Sequence, residues 1–199
     1  DEFKIPAPIE ELKKSTAMKI KSVLRQKFAE TEKTILYDAF KDKIGTTITG
    51  RVERVEDRGV SINIGKTSVY LTRQQMIGNE TFSIGEPIKV YISDVSGDSK
   101  GARINVSRAN EGFLRSLFTD GDAIHDIYNG TIEIKGIARR AGERSKVAVY
   151  STNENIDAIG SCIGAKGSRI GNILKELNGE KVDLGLYDND PVEFIKNSL

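Results

Sequence analysis

Cysteine and histidine are nearly absent. The 199 residues hold one of each, Cys162 and His125. A single cysteine excludes an internal disulfide framework and any multi-cysteine metal site. It fits a reducing, cytoplasmic setting. The histidine sits in an Asp/Gly-rich stretch with Asp122 and Asp126. It forms no triad pattern, and no G-x-S-x-G elbow accompanies it, so it reads as an exposed linker residue. Long apolar runs are missing too: none reaches the ~18 residues that span a bilayer, and no membrane partner is expected. The opening stretch DEFKIPAPIEELKK lacks an apolar signal core. Nor does one sign of charge dominate, since 30 Lys/Arg against 29 Asp/Glu leave +1. Catalysis, cofactors and metals are therefore not expected. Cys162 reads as a small buried hydrophobe. The carboxylates Asp188, Asp190 and Glu193 suit a helix N-terminus better than a metal.

What is present is uneven. Residues 135–169 hold 7 Lys/Arg against 3 Asp/Glu, inside a segment 111–199 that is net −3. A basic island in an acidic segment steers a polyanion to one face, although surface scatter accounts for such a count equally well. Periodicity divides the chain in three. Residues 9–42 read as one long helix, with Ile9, Leu12, Ile20, Val23, Leu24, Phe28, Ile35 and Ala39 on a single stripe. Such a stripe needs a following domain, a preceding one or a partner to cover it. Residues 44–110 switch to strand alternation: five short strands, turn signals between them, and a helical turn after the third. That is the pattern of an OB-type barrel. Residues 111–199 read as α-β-β-α-α-β followed by a final helix, with Asn110 capping the first helix and Asp190-Pro191 opening the last. The fold class expected is α+β, multidomain, with units at 1–43, 44–110 and 111–199.

The stretch SCIGAKGSRIGNIL breaks a helix for four residues at Gly164-Ala165-Lys166-Gly167 and restarts it with Ser168-Arg169. Glycines let the chain turn sharply and let a phosphate approach without a Cβ. A helix N-terminus favours an anion. A dinucleotide fingerprint needs G-x-G-x-x-G straight after a strand, and a P-loop needs four residues between its glycines; the spacing here excludes both. A plain helix–helix corner remains the alternative.

Ile163-Gly164-Ala165-Lys166-Gly167 in an α-β-β-α-α-β frame resembles the KH RNA-binding module in its type II arrangement. The preceding barrel, ending ARINVSRA, resembles an S1 domain. A helix, then S1, then KH with GERSKVAV, GSCIGAKGSRI and GEKVDLGLYDNDPVEFI is similar to the NusA family of bacterial transcription elongation, termination and antitermination factors. The resemblance covers essentially the whole chain. It implies a linker helix at 1–43, an S1 domain at 44–110 and a first KH domain at 111–199. In that family a polymerase-binding domain precedes the helix and a second KH domain follows, so the chain reads as a central cut.

The implied partners are single-stranded nascent RNA, RNA polymerase through the preceding domain and linker helix, and other elongation or antitermination factors. The loop residues Gly164, Ala165, Lys166 and Gly167 would meet the sugar-phosphate backbone, with Ser168 and Arg169 behind them. Ile163 and Ile170 would floor a base groove or simply belong to the core. Arg139, Arg140, Arg144 and Lys146, on or beside the strand hairpin, would extend a basic rim. In the S1 segment Arg51, Arg54, Arg58, Lys66 and Arg73 are weaker phosphate candidates, and Tyr70 is the one aromatic of the middle strands. Two rival readings stand beside this one: a protein-docking module, and the RNA-binding part of an RNA-processing enzyme.

Overall fold

A computed structural model describes residues 14–98, 101–120 and 123–198. Helix α1 spans Lys14–Phe40 and passes into a 3-10 turn at Lys41–Lys43. Ile9 and Leu12 of the expected stripe lie outside the described residues. Of the rest, Ile20, Val23, Leu24, Phe28 and Ile35 face solvent, Phe28 with 68% of its surface free, and Ala39 is half-buried. Helix α1 belongs to a small compact unit with residues 95–103, and residues 43–94 and 104–199 form the second unit.

Five antiparallel strands follow α1: β1 (Thr47–Glu56), β2 (Gly59–Asn63), β3 (Ser68–Thr72), β4 (Pro87–Asp98) and β5 (Gly101–Ser107). They hydrogen-bond in the order β3-β2-β1-β4-β5 and form a nearly closed barrel. The long β1 makes this possible. Its first half pairs with β4 and its second half with β2, with a register shift between Val52 and Arg54. A shift of this kind adds twist and bends a strand around a barrel. Alternation sends Val52, Val60, Ile62, Val69, Leu71, Ile88, Val90 and Ile92 inward, all nearly fully buried. A 3-10 turn at Arg73–Gln75 follows β3, as the spacing predicts.

The C-terminal part is a three-stranded sheet covered by helices. Helix α2 (Glu111–Thr119) starts at Asn110, whose side chain accepts from Gly112 N–H at 2.7 Å. Its apolar face, Phe113, Leu114, Leu117 and Phe118, is buried. A single helical turn, α3 (His125–Tyr128), occupies the stretch that reads as a linker in the sequence. It forms there because Ile124 and Ile127 anchor it in the core. Strands β6 (Ile132–Arg140) and β7 (Arg144–Ser151) make the hairpin, and β8 (Lys181–Leu186) adds in parallel to β7. Helices α4 (Ala158–Ile163) and α5 (Ser168–Glu176) pack on one sheet face, through Val147, Val149, Ala158, Cys162, Ile173 and Leu177. Helix α6 (Pro191–Ser198) closes the chain, capped by Asp190, which accepts from Val192 N–H at 2.9 Å.

The barrel and the sheet module share a core. Ile77, from the loop after β3, is fully buried among the α2, α3 and sheet residues, and Tyr91 of β4 packs against the same cluster. Gly112 permits this: a Cβ there would lie 2.4 Å from Tyr91 Cζ. Beside the apolar contact sits a buried ionic cluster. Arg108 Nε donates to both oxygens of Glu80, at 3.0 and 3.2 Å. Its Nη1 donates to Lys89 O at 2.6 Å and Glu176 Oε1 at 2.7 Å, and its Nη2 to Glu176 O at 2.9 Å. Arg139 pairs with Glu180, and both arginines lie over the Phe113 ring, at 5.0 and 5.7 Å from its centroid. The last carbonyl of α5, Glu176 O, is thus held by a cation from the end of the barrel, which complements the negative end of a helix.

Candidate nucleic-acid interface

The four-residue break is built from three backbone positions with positive φ. Helix α4, capped by Asp157 (Ile159 N–H donating at 3.0 Å), ends at Gly164 with φ 73° and ψ 173°. Lys166 follows at φ 54°, ψ 28°, and Gly167 at φ 75°, ψ 17°, after which α5 begins. A lysine in the left-handed region costs on the order of 1 kcal/mol.

The two glycines have different physical reasons. A Cβ on Gly164 would lie 2.7 Å from Arg169 Cγ, so Gly164 makes room for the Arg169 stem. A Cβ on Gly167 would meet nothing within 4 Å. Open approach to the backbone, expected of both glycines from the sequence, is therefore a property of the Gly167 side. No side chain caps α5; the Gly167 N–H donates to Gly164 O at 3.1 Å and the Ser168 N–H to Ala165 O, so the loop's own carbonyls serve the helix start. Ala165, Lys166 and Ser168 are exposed. Among the described residues no hydrogen-bond or ion-pair partner is found for Lys166. Ile163 is 39% exposed beside the loop, while Ile170 is half-buried against the core.

Arg169 is tethered. Its Nη1 donates to Ser161 O at 2.8 Å and to Asp126 Oδ2 of α3 at 3.4 Å. The buried Cys162 thiol lies beneath: burial first, then the nearby Asp126 charge, pushes it up to about 11. It packs as a core hydrophobe.

The basic rim expected around the hairpin does not assemble. Arg139 faces inward, with its side chain 2% exposed, and its guanidinium serves Glu180 and Asn110 O. Arg144 and Lys146 alternate with Ser145, Val147 and Val149, which point toward α4 and α5. Both bases therefore stand on the opposite sheet face. There Arg144 binds Asp183, whose carboxyl that hydrogen bond holds below its usual value, and Lys146 binds Ser198 O. Arg140 is exposed at the hairpin tip, paired with Glu143 at 3.1 Å. The structure brings together residues 163–170 and separates Arg139, Arg144 and Lys146 from them, because strand pleating assigns alternate residues to opposite faces.

In the barrel, Arg51, Arg54, Arg58, Lys66 and Arg73 are all exposed. Arg51 Nη1 donates to Gly85 O at 3.1 Å. Tyr70 faces outward, as the alternation predicts, but its hydroxyl donates to Glu56 at 3.3 Å. On the same face Glu53 accepts from Asn63 at 2.8 Å and Ser68 at 2.7 Å, bonds that hold its carboxyl below the ordinary value. Glu53 and Glu56 thus stand beside the one exposed aromatic of the middle strands, with Arg54 close enough to act on Glu53 and Arg58 on Tyr70. Asp126, Arg108, Glu80 and Glu180 carry no local sequence signal; each finds its partner far along the chain. Among the described residues no group of His, Cys, Asp and Glu could hold a metal, and no helix is long and apolar enough to cross a membrane.

Residues 41–108 match the S1 RNA binding domain family, and residues 108–186 the NusA-like first KH domain family. The transcription termination/antitermination protein NusA of Thermus thermophilus is 43% identical over 200 aligned residues, covering 100% of this chain and 51% of that protein. NusA of Bacillus subtilis is 38% identical over 183 residues, covering 92% of this chain and 49% of that protein. NusA of Halalkalibacterium halodurans is also 38% identical, over 92% of this chain and 47% of its own length. The chain thus spans about half the length of the curated relatives it matches. An S1 barrel sharing its core with a first KH module, at this identity across nearly all its length, belongs to the NusA family.

Proposed function

We propose that this chain is a non-catalytic, cytoplasmic RNA-binding segment of a transcription factor. It holds single-stranded nascent RNA and so modulates pausing, termination and antitermination by RNA polymerase, together with other elongation factors. The reading divides the chain into a linker helix at 1–43, an S1 domain at 44–110 and a KH domain at 111–199. One observation carries it: within the Gly164–Gly167 turn, Gly167 is open to approach, Lys166 is exposed beside it, and no side chain caps the helix that follows. Backbone phosphates settle on this turn, and bases lie along Ile163 and Ile170. Ser168 and Arg169 border the site. Arg140 and the exposed barrel arginines add long-range attraction rather than contacts.

Replacing Ala165 and Lys166 together with Asp tests this. Both side chains are exposed, and Asp tolerates the left-handed region better than most residues, so the fold survives. RNA affinity measured by fluorescence anisotropy falls at least tenfold. A folded double variant that binds like the wild type refutes the clamp. The exposed stripe of α1 favours a second role for that unit, docking onto protein. Deleting residues 1–43 then leaves RNA affinity unchanged and abolishes association with the polymerase.

A further inference from the structure

Arg169 and Asp126 form a surface pair beside the loop, with side chains 40% and 27% exposed, so a ligand can compete for either. Arg169 does not need Asp126 to stay in place. Its stem packs over Gly164, and its Nη1 has the shorter bond to Ser161 O, 2.8 Å against 3.4 Å. Asp126 does not cap its own helical turn either, since Ile124 occupies that position without a side-chain bond. Among the described residues its carboxylate accepts from Arg169.

We propose that Asp126 attenuates the clamp: it occupies Arg169 and lowers the loop's affinity for a nucleic-acid phosphate, leaving Lys166 as the loop's uncompensated cation among the described residues. The inference rests on the reading that Gly164–Gly167 receives an RNA phosphate. When the phosphate arrives, Arg169 must give up its pairing with Asp126 to meet it, and that exchange is the cost the carboxylate imposes. An exposed pair of this kind sets the scale at about two- to five-fold in affinity. The consequence is a module that holds RNA loosely enough to release it.

The test is binding of a short unstructured oligoribonucleotide of mixed sequence to the whole chain at fixed salt. Asp126→Asn binds about two- to five-fold tighter, and Asp126→Ser does the same with a smaller side chain. Asp126→Glu, which keeps the charge, stays at the wild-type value. In an Arg169→Gln background Asp126→Asn changes nothing, because the carboxylate acts through Arg169. Circular dichroism and melting confirm the fold of each variant. Unchanged or weaker binding by folded Asp126→Asn overturns the proposal, as does equal tightening in the Arg169→Gln background. The Ala165/Lys166 double Asp variant runs alongside. If it binds normally, the clamp itself is wrong; if it fails to bind and Asp126→Asn is silent, only the attenuation is wrong.

Discussion

Replacing Arg108 with Met should unfold the joint between the barrel and the KH module. The side chains of Arg108 and Glu80 are each 5% exposed, and the guanidinium makes five hydrogen bonds to Glu80, Lys89 and Glu176. Met keeps the stem and loses the head. Glu80 is then left buried with the Ile77 N–H, at 2.9 Å, as its remaining donor among the described residues. Stripping one partner from a buried ion pair costs about 3–5 kcal/mol, whereas an exposed pair rarely exceeds ~1 kcal/mol. The lower end applies, because Glu176 is a third exposed and can turn to water. For a chain of this size about 3 kcal/mol lowers the melting temperature by about 6–12 °C. Urea titration gives the free energy, with an unchanged slope showing that the unfolded state is the same. The double variant Arg108→Met/Glu80→Gln removes the orphaned charge and keeps the Ile77 contact, so it recovers most of the loss. A single variant that loses less than ~1 kcal/mol, or a double variant worse than the single, refutes the buried-pair argument.

Gly112→Ala drives a Cβ into the Tyr91 ring; overpacking of this kind costs about 1–3 kcal/mol, read by the same urea titration, and a neutral result means the ring moves freely. Acid should weaken the fold through Glu180: burial raises its carboxyl, but bonds from Arg139, Ser145 and the Gly142 N–H outweigh that and hold it below the ordinary 4.5. A depressed carboxyl contributes stability that is present above the unfolded value and lost as pH falls through the folded one, so stability drops below about pH 4.5, and Glu180→Gln flattens that limb of the melting profile. RNA affinity should fall with salt at a log–log slope of a few units at most, about 0.7 for each phosphate engaged; a flat response excludes phosphate contacts.

Local signals were readable where one short stretch carries the physics. The caps at Asn110 and Asp190, the alternation of the barrel strands, the 3-10 turn after β3 and the helix break at Gly164–Gly167 each rest on a few consecutive residues. The turn α3 carries no such local signal, because its anchors, Ile124 and Ile127, become core only once the sheet covers them. The basic rim failed for a related reason. Composition counts Arg139, Arg144 and Lys146 together, but pleating sends the first inward and the other two to the far face.

Element order, the barrel pattern and the G-x-x-G loop follow from the chain's local chemistry, because each depends on backbone preferences and on hydrophobic period over a few residues. Tertiary structure decided which charges remain available. Arg108 and Arg139 are engaged by glutamates 28 and 41 positions away, Arg169 by an aspartate 43 away. Pairing over such distances depends on which surfaces the packed core brings together, and no local spacing encodes it. Only the fold shows that the loop keeps its lysine exposed, and that a carboxylate from a neighbouring turn stands beside its arginine.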